Sequence, residues 1–199
     1  MIRTDDPPDS AVSVSVTRLV LAPAENRLAS AALAAGAERN KFAFPLGGSL
    51  HTVQIGRDRA EPVTLYRLWE PEDVISAYLD EVPKMIAGSE VFEVFTHIDY
   101  AARHWPTAEA GPFDPKQFED GFRSAMRAIA DSGRALEMNT RRLWPWMPQW
   151  WKEEGGRAVS FGSDAHVPQA LADGFPEAVC MLEQIGFHPG NRSQDLWTS

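Results

Sequence analysis

From residue 12 onward, short apolar runs alternate with longer segments of helical periodicity, and this alternation limits which folds the chain can adopt. Residues 12–23 (VSVSVTRLVLAP) alternate and then turn apolar, the pattern of a strand ending at Pro23. Residues 24–36 are rich in Ala and Leu and stop at Gly36, a helix with a glycine just past its end. The pattern then repeats. A glycine-broken apolar run covers 42–53, and a helix over 70–88 opens at Pro71 and should bend or break at Pro83. A strand follows over 91–100. The clearest helix spans 113–133, with Asp114 as N-cap and Pro115 in the first turn. Phe118, Phe122, Met126 and Ile129 lie on one face of it, and Gly133 ends it. Strands at 134–140 and 158–166 enclose a helix at 148–156, and a final helix over 168–186 is broken near Gly174. Alternation of this kind builds βαβ units, hence an α/β fold with a mostly parallel sheet or barrel. With no internal repeat and only short linkers, residues 12–199 read as one domain behind a flexible lead-in at 1–11, where Pro, Asp and Ser dominate.

The charge balance narrows the function. A net charge of -9 and a pI near 5.0 argue against nucleic acid or an anionic membrane as partner, because Lys and Arg are outnumbered. No apolar stretch reaches the roughly 18 residues of a membrane span. The acidic, proline-containing start is unlike a secretory signal, so the expected location is cytoplasmic. The single cysteine, Cys180, excludes an internal disulfide and a thiolate zinc cage, and its apolar surroundings predict a buried structural thiol. No P-loop, GxGxxG or GxSxG element occurs, which removes nucleotide phosphate cradles and serine hydrolase chemistry.

Three of the five histidines share one structural position. His51, His97 and His166 each follow a predicted strand, at the sheet edge where α/β folds build their sites. Imidazole is a common metal ligand, and carboxylates supply the charge that divalent cations need. Asp164 and His166 stand two residues apart in an extended segment, so both face the same side, and the small Ser163 and Ala165 let the backbone bend there. Asp99 stands in the same relation to His97, as a supporting residue or turn former. Trp144, Trp146, Trp150 and Trp151 read as core packing and loop cover, with stacking on a substrate ring as the alternative.

The ordered elements GGSLHTV, VFTHIDYAARHWP, GRALEMNTR and VSFGSDAHVPQAL, followed by IGFHPGNRSQDLW, resemble the polymerase and histidinol phosphatase (PHP) family. Within it, the histidinol-phosphatase-like branch matches best, over about residues 18–197. The resemblance implies a distorted (β/α)7 barrel with divalent metal ions, manganese, zinc or iron, at the C-terminal ends of the strands. It implies phosphoester hydrolysis on a small phosphorylated substrate. Transferred residue by residue, it makes His51, His97, Asp164 and His166 metal ligands, with Asp164 and His166 at the catalytic centre. Arg103 and Arg141 resemble positions near the substrate phosphate, where a planar, permanently charged fork suits a phosphoryl group. Glu137 and Asn139 resemble residues that organise the site without binding metal.

The sequence also departs from the family pattern. The family opens with a strand and an H-x-H pair, whereas no histidine precedes His51, so the reading is of a barrel lacking its first strand-helix units. Glu25 is the nearest candidate for the bridging carboxylate. The alternative for Glu25 is a helix N-terminal residue favoured by the macrodipole. One metal held through Glu25, His51 and His97, with Asp164 and His166 supporting a weaker second, would give one or two ions per chain and reduced activity. Missing strands leave unpaired edges, so either the N-terminal residues rearrange to fill the gap or the chain self-associates. Two other functions stay open: an impaired metal-binding remnant acting as an interaction protein, and a metal-dependent amidohydrolase.

Overall fold

A computed structural model describes residues 47–192 and 195–199 of the chain. The lead-in at 1–11, the strand expected over 12–23, the helix expected over 24–36, and Glu25 lie outside the described residues. Four strands run parallel: β1 (Gly47–Ser49), β4 (Val94–Thr96), β5 (Ala135–Asn139) and β6 (Ala158–Gly162). A short β7 (Trp197–Thr198) closes the order antiparallel to β6, and a separate hairpin joins β2 (Val53–Ile55) to β3 (Asp58–Ala60). The order β1-β4-β5-β6-β7 adds each strand beside its predecessor, the winding of a barrel rather than of a doubly wound sheet. Among the described residues the main sheet is open and five-stranded, with one antiparallel member, where a distorted (β/α)7-type barrel lacking its first strand-helix units was expected.

The parallel strands are legible as apolar runs because both faces are covered. Every residue of β1, β4 and β5 is buried. Their helices are α1 (Pro62–Leu65), α2 (Pro71–Gly88), α3 (Tyr100–Arg103), α4 (Thr107–Ala110), α5 (Glu119–Asp131), α6 (Trp146–Glu153) and α7 (Phe175–Ile185). Helix α2 starts at Pro71, carries Glu72 and Asp73 in its first turn, and buries Val74, Ile75, Tyr78, Leu79, Val82, Met85 and Ile86. It packs on α5 so closely that a Cβ at Gly121 would lie 2.9 Å from the Leu79 side chain. The expected break at Pro83 is not observed. The helix runs through it, since buried side chains on both sides of the proline anchor the two halves to the same core.

The predicted 113–133 helix starts later than expected. Asp114 does accept a hydrogen bond from the Lys116 amide, at 3.0 Å, but it caps a 3₁₀ turn over Pro115–Phe118 that leads into α5. The predicted face is the buried one: Phe118, Phe122, Met126 and Ile129 are all in the core. The break in the last predicted helix is also present, with Gly174 at φ 73° just before α7. A Cβ there would collide with the Thr140 carbonyl. Cys180 corrects the sequence reading, for its thiol is exposed. Helix α7 buries Ala178 and Leu182, four apart, and a residue midway between them faces outward. At the opposite end of the sheet from the strand-end histidines, the Arg134 guanidinium donates to the carbonyls of Phe92 (3.1 Å), Ile86 (3.5 Å) and Ser89. It thereby satisfies the last carbonyls of α2 and ties them to the start of β4.

Candidate active site

The C-terminal ends of β1, β4, β5 and β6 converge on one polar cluster, built mainly by residues that follow the strands directly. His97 leaves β4 with φ 60° and Asp164 follows β6 with φ 49°. Left-handed backbone is costly for residues with a Cβ, and here it aims two side chains, from the two strands that flank β5, at one point. His97 Nε2 lies 3.8 Å from Asp164 Oδ1, and His97 Nδ1 lies 3.0 Å from Glu137 Oε1. The Glu137 carboxylate can lie across β6 because its neighbour there is Gly162, where a Cβ would come within 2.6 Å of Oε2.

Arg103, one turn into α3, sends its guanidinium into the middle of this group. Nη2 donates to Asp99 Oδ1 at 2.7 Å and to His97 Nδ1 at 3.0 Å, and Nη1 donates to Asp164 Oδ2 at 3.0 Å. Only 4% of the Arg103 side chain and 1% of Asp99 are exposed, so this pair is buried. Its Asp99 and Asp164 partners hold the guanidinium protonated against the penalty of burial. Three carboxylates face that single guanidinium, which leaves the cluster with an excess of negative charge. Several buried atoms there have no hydrogen-bond partner: Asp99 Oδ2, Glu137 Oε1, Arg103 Nε, and both polar atoms of the Asn139 side chain.

His51 forms the near wall. Its ring stacks on Tyr100 at 4.8 Å between centroids and stands 6.4 Å from the His97 ring, while its Nε2 pairs with Ser49 Oγ at 3.0 Å. Tyr100 in turn donates its hydroxyl to Glu61 Oε2 at 3.2 Å. Burial, and then the neighbouring His97, hold the His51 imidazole below its ordinary pKa. His166 is different. Its ring is exposed, and its Nδ1 lies 2.9 Å from its own turn's Asp164 carbonyl. A carbonyl only accepts, so Nδ1 carries the proton and Nε2 keeps a lone pair facing outward.

The structure thus brings His97, Asp164, Glu137 and Arg103 into direct contact, places His51 beside them, and leaves His166 at the rim. Arg141 lies outside the cluster, half exposed, with Nε 3.4 Å from Asp173. It lines a cleft of about 780 Å³ that Arg103, Arg142, Phe113, Trp144 and Glu177 also border. Trp150 and Trp151 are buried, as the core-packing reading requires, and Trp144 lines the cleft. Sequence reasoning missed Glu61, Tyr100 and Arg142. Only Tyr100 carried a signal, as the residue after the THID element.

The donor types suit a borderline divalent cation. Their arrangement does not yet provide a cage: among the described residues no group of three or more His, Cys, Asp or Glu side chains is placed to hold a metal ion. The guanidinium of Arg103 occupies the space between the donors. Also among the described residues, no helix is long and apolar enough to cross a membrane.

No known family model matches the chain. It is 28% identical over 160 residues to a probable histidinol-phosphatase from Clostridium acetobutylicum, covering 76% of this chain and 61% of that protein. It is 28% identical over 125 residues to a probable histidinol-phosphatase from Thermotoga maritima, covering 59% and 51% respectively. The crystal structure of histidinol phosphate phosphatase from Lactococcus lactis, complexed with zinc, L-histidinol and phosphate, superposes with a TM-score of 0.58 at 25% identity. That match covers 70% of this chain and 56% of the other. The chain therefore spans about half to three fifths of the length of these proteins, and over that span it is similar to histidinol-phosphatases in both sequence and fold.

Proposed function

We propose that this chain is a metal-dependent phosphoesterase of the PHP type, acting on a small phosphomonoester such as L-histidinol phosphate. One observation carries the reading: the His97–Asp164–Glu137 cluster and an arginine-lined cleft lie side by side at the C-terminal edge of the sheet. Similarity to histidinol-phosphatases supports it. His51, His97, Asp164 and His166 are the donors for a divalent cation, His166 through Nε2. A bound cation of this kind lowers the pKa of a water to about 7 and polarises a phosphoryl oxygen. The remaining work falls to the chain itself. Arg141 and Arg142 stand at the cleft where planar, charged forks can hold phosphoryl oxygens, and Arg103 borders the same space. Phe113 and Trp144 give the cleft an apolar wall against which a flat ring can lie.

Purified chain supplied with manganese, zinc or iron should release inorganic phosphate from histidinol phosphate, and chelator should abolish the release. A fully metal-loaded sample that hydrolyses neither histidinol phosphate nor p-nitrophenyl phosphate would overturn the reading. A second reading, a weakly metal-binding protein without catalysis, is favoured by the guanidinium lodged among the donors. It predicts zinc in elemental analysis with no phosphate release.

A further inference from the structure

The same guanidinium explains an otherwise odd feature of the cluster. His97 Nδ1 has two neighbours at 3.0 Å with opposite demands: Arg103 Nη2, which only donates, and Glu137 Oε1, which only accepts when ionised. One ring nitrogen cannot satisfy both. With the guanidinium in place, Nδ1 must be the lone-pair nitrogen, so the proton of neutral His97 sits on Nε2, facing Asp164 Oδ1 at 3.8 Å. In that tautomer His97 has no lone pair to offer on its Asp164 side, and Glu137 Oε1 stays buried without a hydrogen bond. Leaving a buried carboxylate oxygen unbonded costs free energy.

The other arrangement repairs both defects. If the guanidinium withdraws from His97 and Asp164, the ring proton can move to Nδ1, and a small turn of the imidazole or carboxylate lets Glu137 Oε1, 3.0 Å away, accept it. Nε2 then turns a lone pair toward Asp164, whose carboxylate is free for a cation, the carboxylate–histidine–metal relation found at many metal sites. Arg103 need not leave the site to do this. Its Nη2 bond to Asp99, 2.7 Å long and buried, can persist while the rest of the fork turns toward the cleft it already lines.

We propose that Arg103 is a built-in cation that competes with a divalent metal for His97 and Asp164, and that metal binding switches the His97 tautomer. The inference rests on the reading of this cluster as a cation site but not on phosphatase activity. Like-charge repulsion makes the two occupants mutually exclusive. The strained backbone at His97 and Asp164 is then held by one or the other, the guanidinium in the metal-free chain and the metal in the loaded one.

The test is cobalt or zinc affinity, measured by titration calorimetry on the whole chain, for wild type and Arg103→Met. Removing the competitor should tighten cation binding by about tenfold or more, within the usual range of coupling between sites. Because Arg103→Met leaves Asp99 buried and unpaired, the double variant Asp99→Asn/Arg103→Met serves if the single one fails to fold, with the same result expected. Nitrogen NMR of imidazole-labelled protein supplies a second readout that loss of a positive charge alone would not move. His97 should carry its proton on Nε2 in metal-free wild type, and on Nδ1 both in Arg103→Met and in zinc-loaded wild type. Unchanged affinity in both variants, or a His97 tautomer that is the same with and without zinc, would overturn the proposal. Neither result depends on whether any phosphoester is hydrolysed.

Discussion

At the scale of single residues, the candidate site is expensive to fold around, and pH is where that expense becomes measurable. The imidazoles of His51 and His104 are both held below their ordinary value of 6.5. Burial is the largest cause for each. His97 and Arg103 add to it for His51, and Arg103 and Arg142 for His104, while Glu61 works against it at both positions. A lowered pKa means that the unfolded chain takes up protons before the folded one does. The two residues therefore contribute their full stability above 6.5 and lose it as pH falls below that value toward their folded pKa values. The melting temperature of metal-free protein should fall between about pH 7 and about pH 5.5, and less steeply in His104→Gln, which removes one of the two titrating groups. Equal slopes for variant and wild type would show that His104 carries none of this acid sensitivity.

At the scale of elements, α5 and α6 are joined on their outer side by a charge network. Arg123 reaches Glu119 (2.7 Å), Glu153 (2.7 Å) and Glu154 (2.9 Å), its guanidinium lies 5.2 Å from the Trp150 ring, and Arg127 adds a second bond to Glu154. Surface pairs are individually weak, yet a shared network with good geometry contributes about 1 kcal/mol. Arg123→Met should lower the melting temperature by a few degrees in dilute buffer. In about 1 M salt, where such charges are screened, the difference should largely vanish. A difference that persists in high salt would trace instead to lost packing on Trp150. The elements themselves were legible in the sequence wherever burial was complete. β4 and β5 read as strands because every side chain in them is covered, and α5 announced itself by Phe122, Met126 and Ile129. The β2–β3 hairpin was not legible. Only Val53 of β2 is buried, three residues are too few to show alternation, and Gly56 alone marks the turn, at φ 57°. In the site, His51, His97 and Asp164 could be found because strand ends are a position that sequence reveals. The Arg103–Asp164 and Tyr100–Glu61 bonds could not, since they join residues 61 and 39 positions apart that only the folded sheet brings together.

At the scale of the whole molecule, α2, α5 and the parallel strands share one continuous apolar cluster that runs from Leu50 to Phe187. One core implies one cooperative transition. Far-ultraviolet and near-ultraviolet circular dichroism should therefore report the same thermal midpoint, the second dominated by tryptophans such as the fully buried Trp151. Midpoints that separate by several degrees would mean that part of this cluster melts on its own. The two ends of the sheet divide the molecule's tasks within that single unit. At one end, Arg134 fastens three carbonyls and the chain entries into β4 and β5. At the other, histidines, carboxylates and arginines hang from the turns that follow the strands, tied to α2 by the Tyr78 hydroxyl, which donates to the His97 carbonyl at 2.8 Å. Changes in those turns can accumulate while the anchored end keeps the scaffold intact, so the polar cluster can be altered without the fold being reinvented.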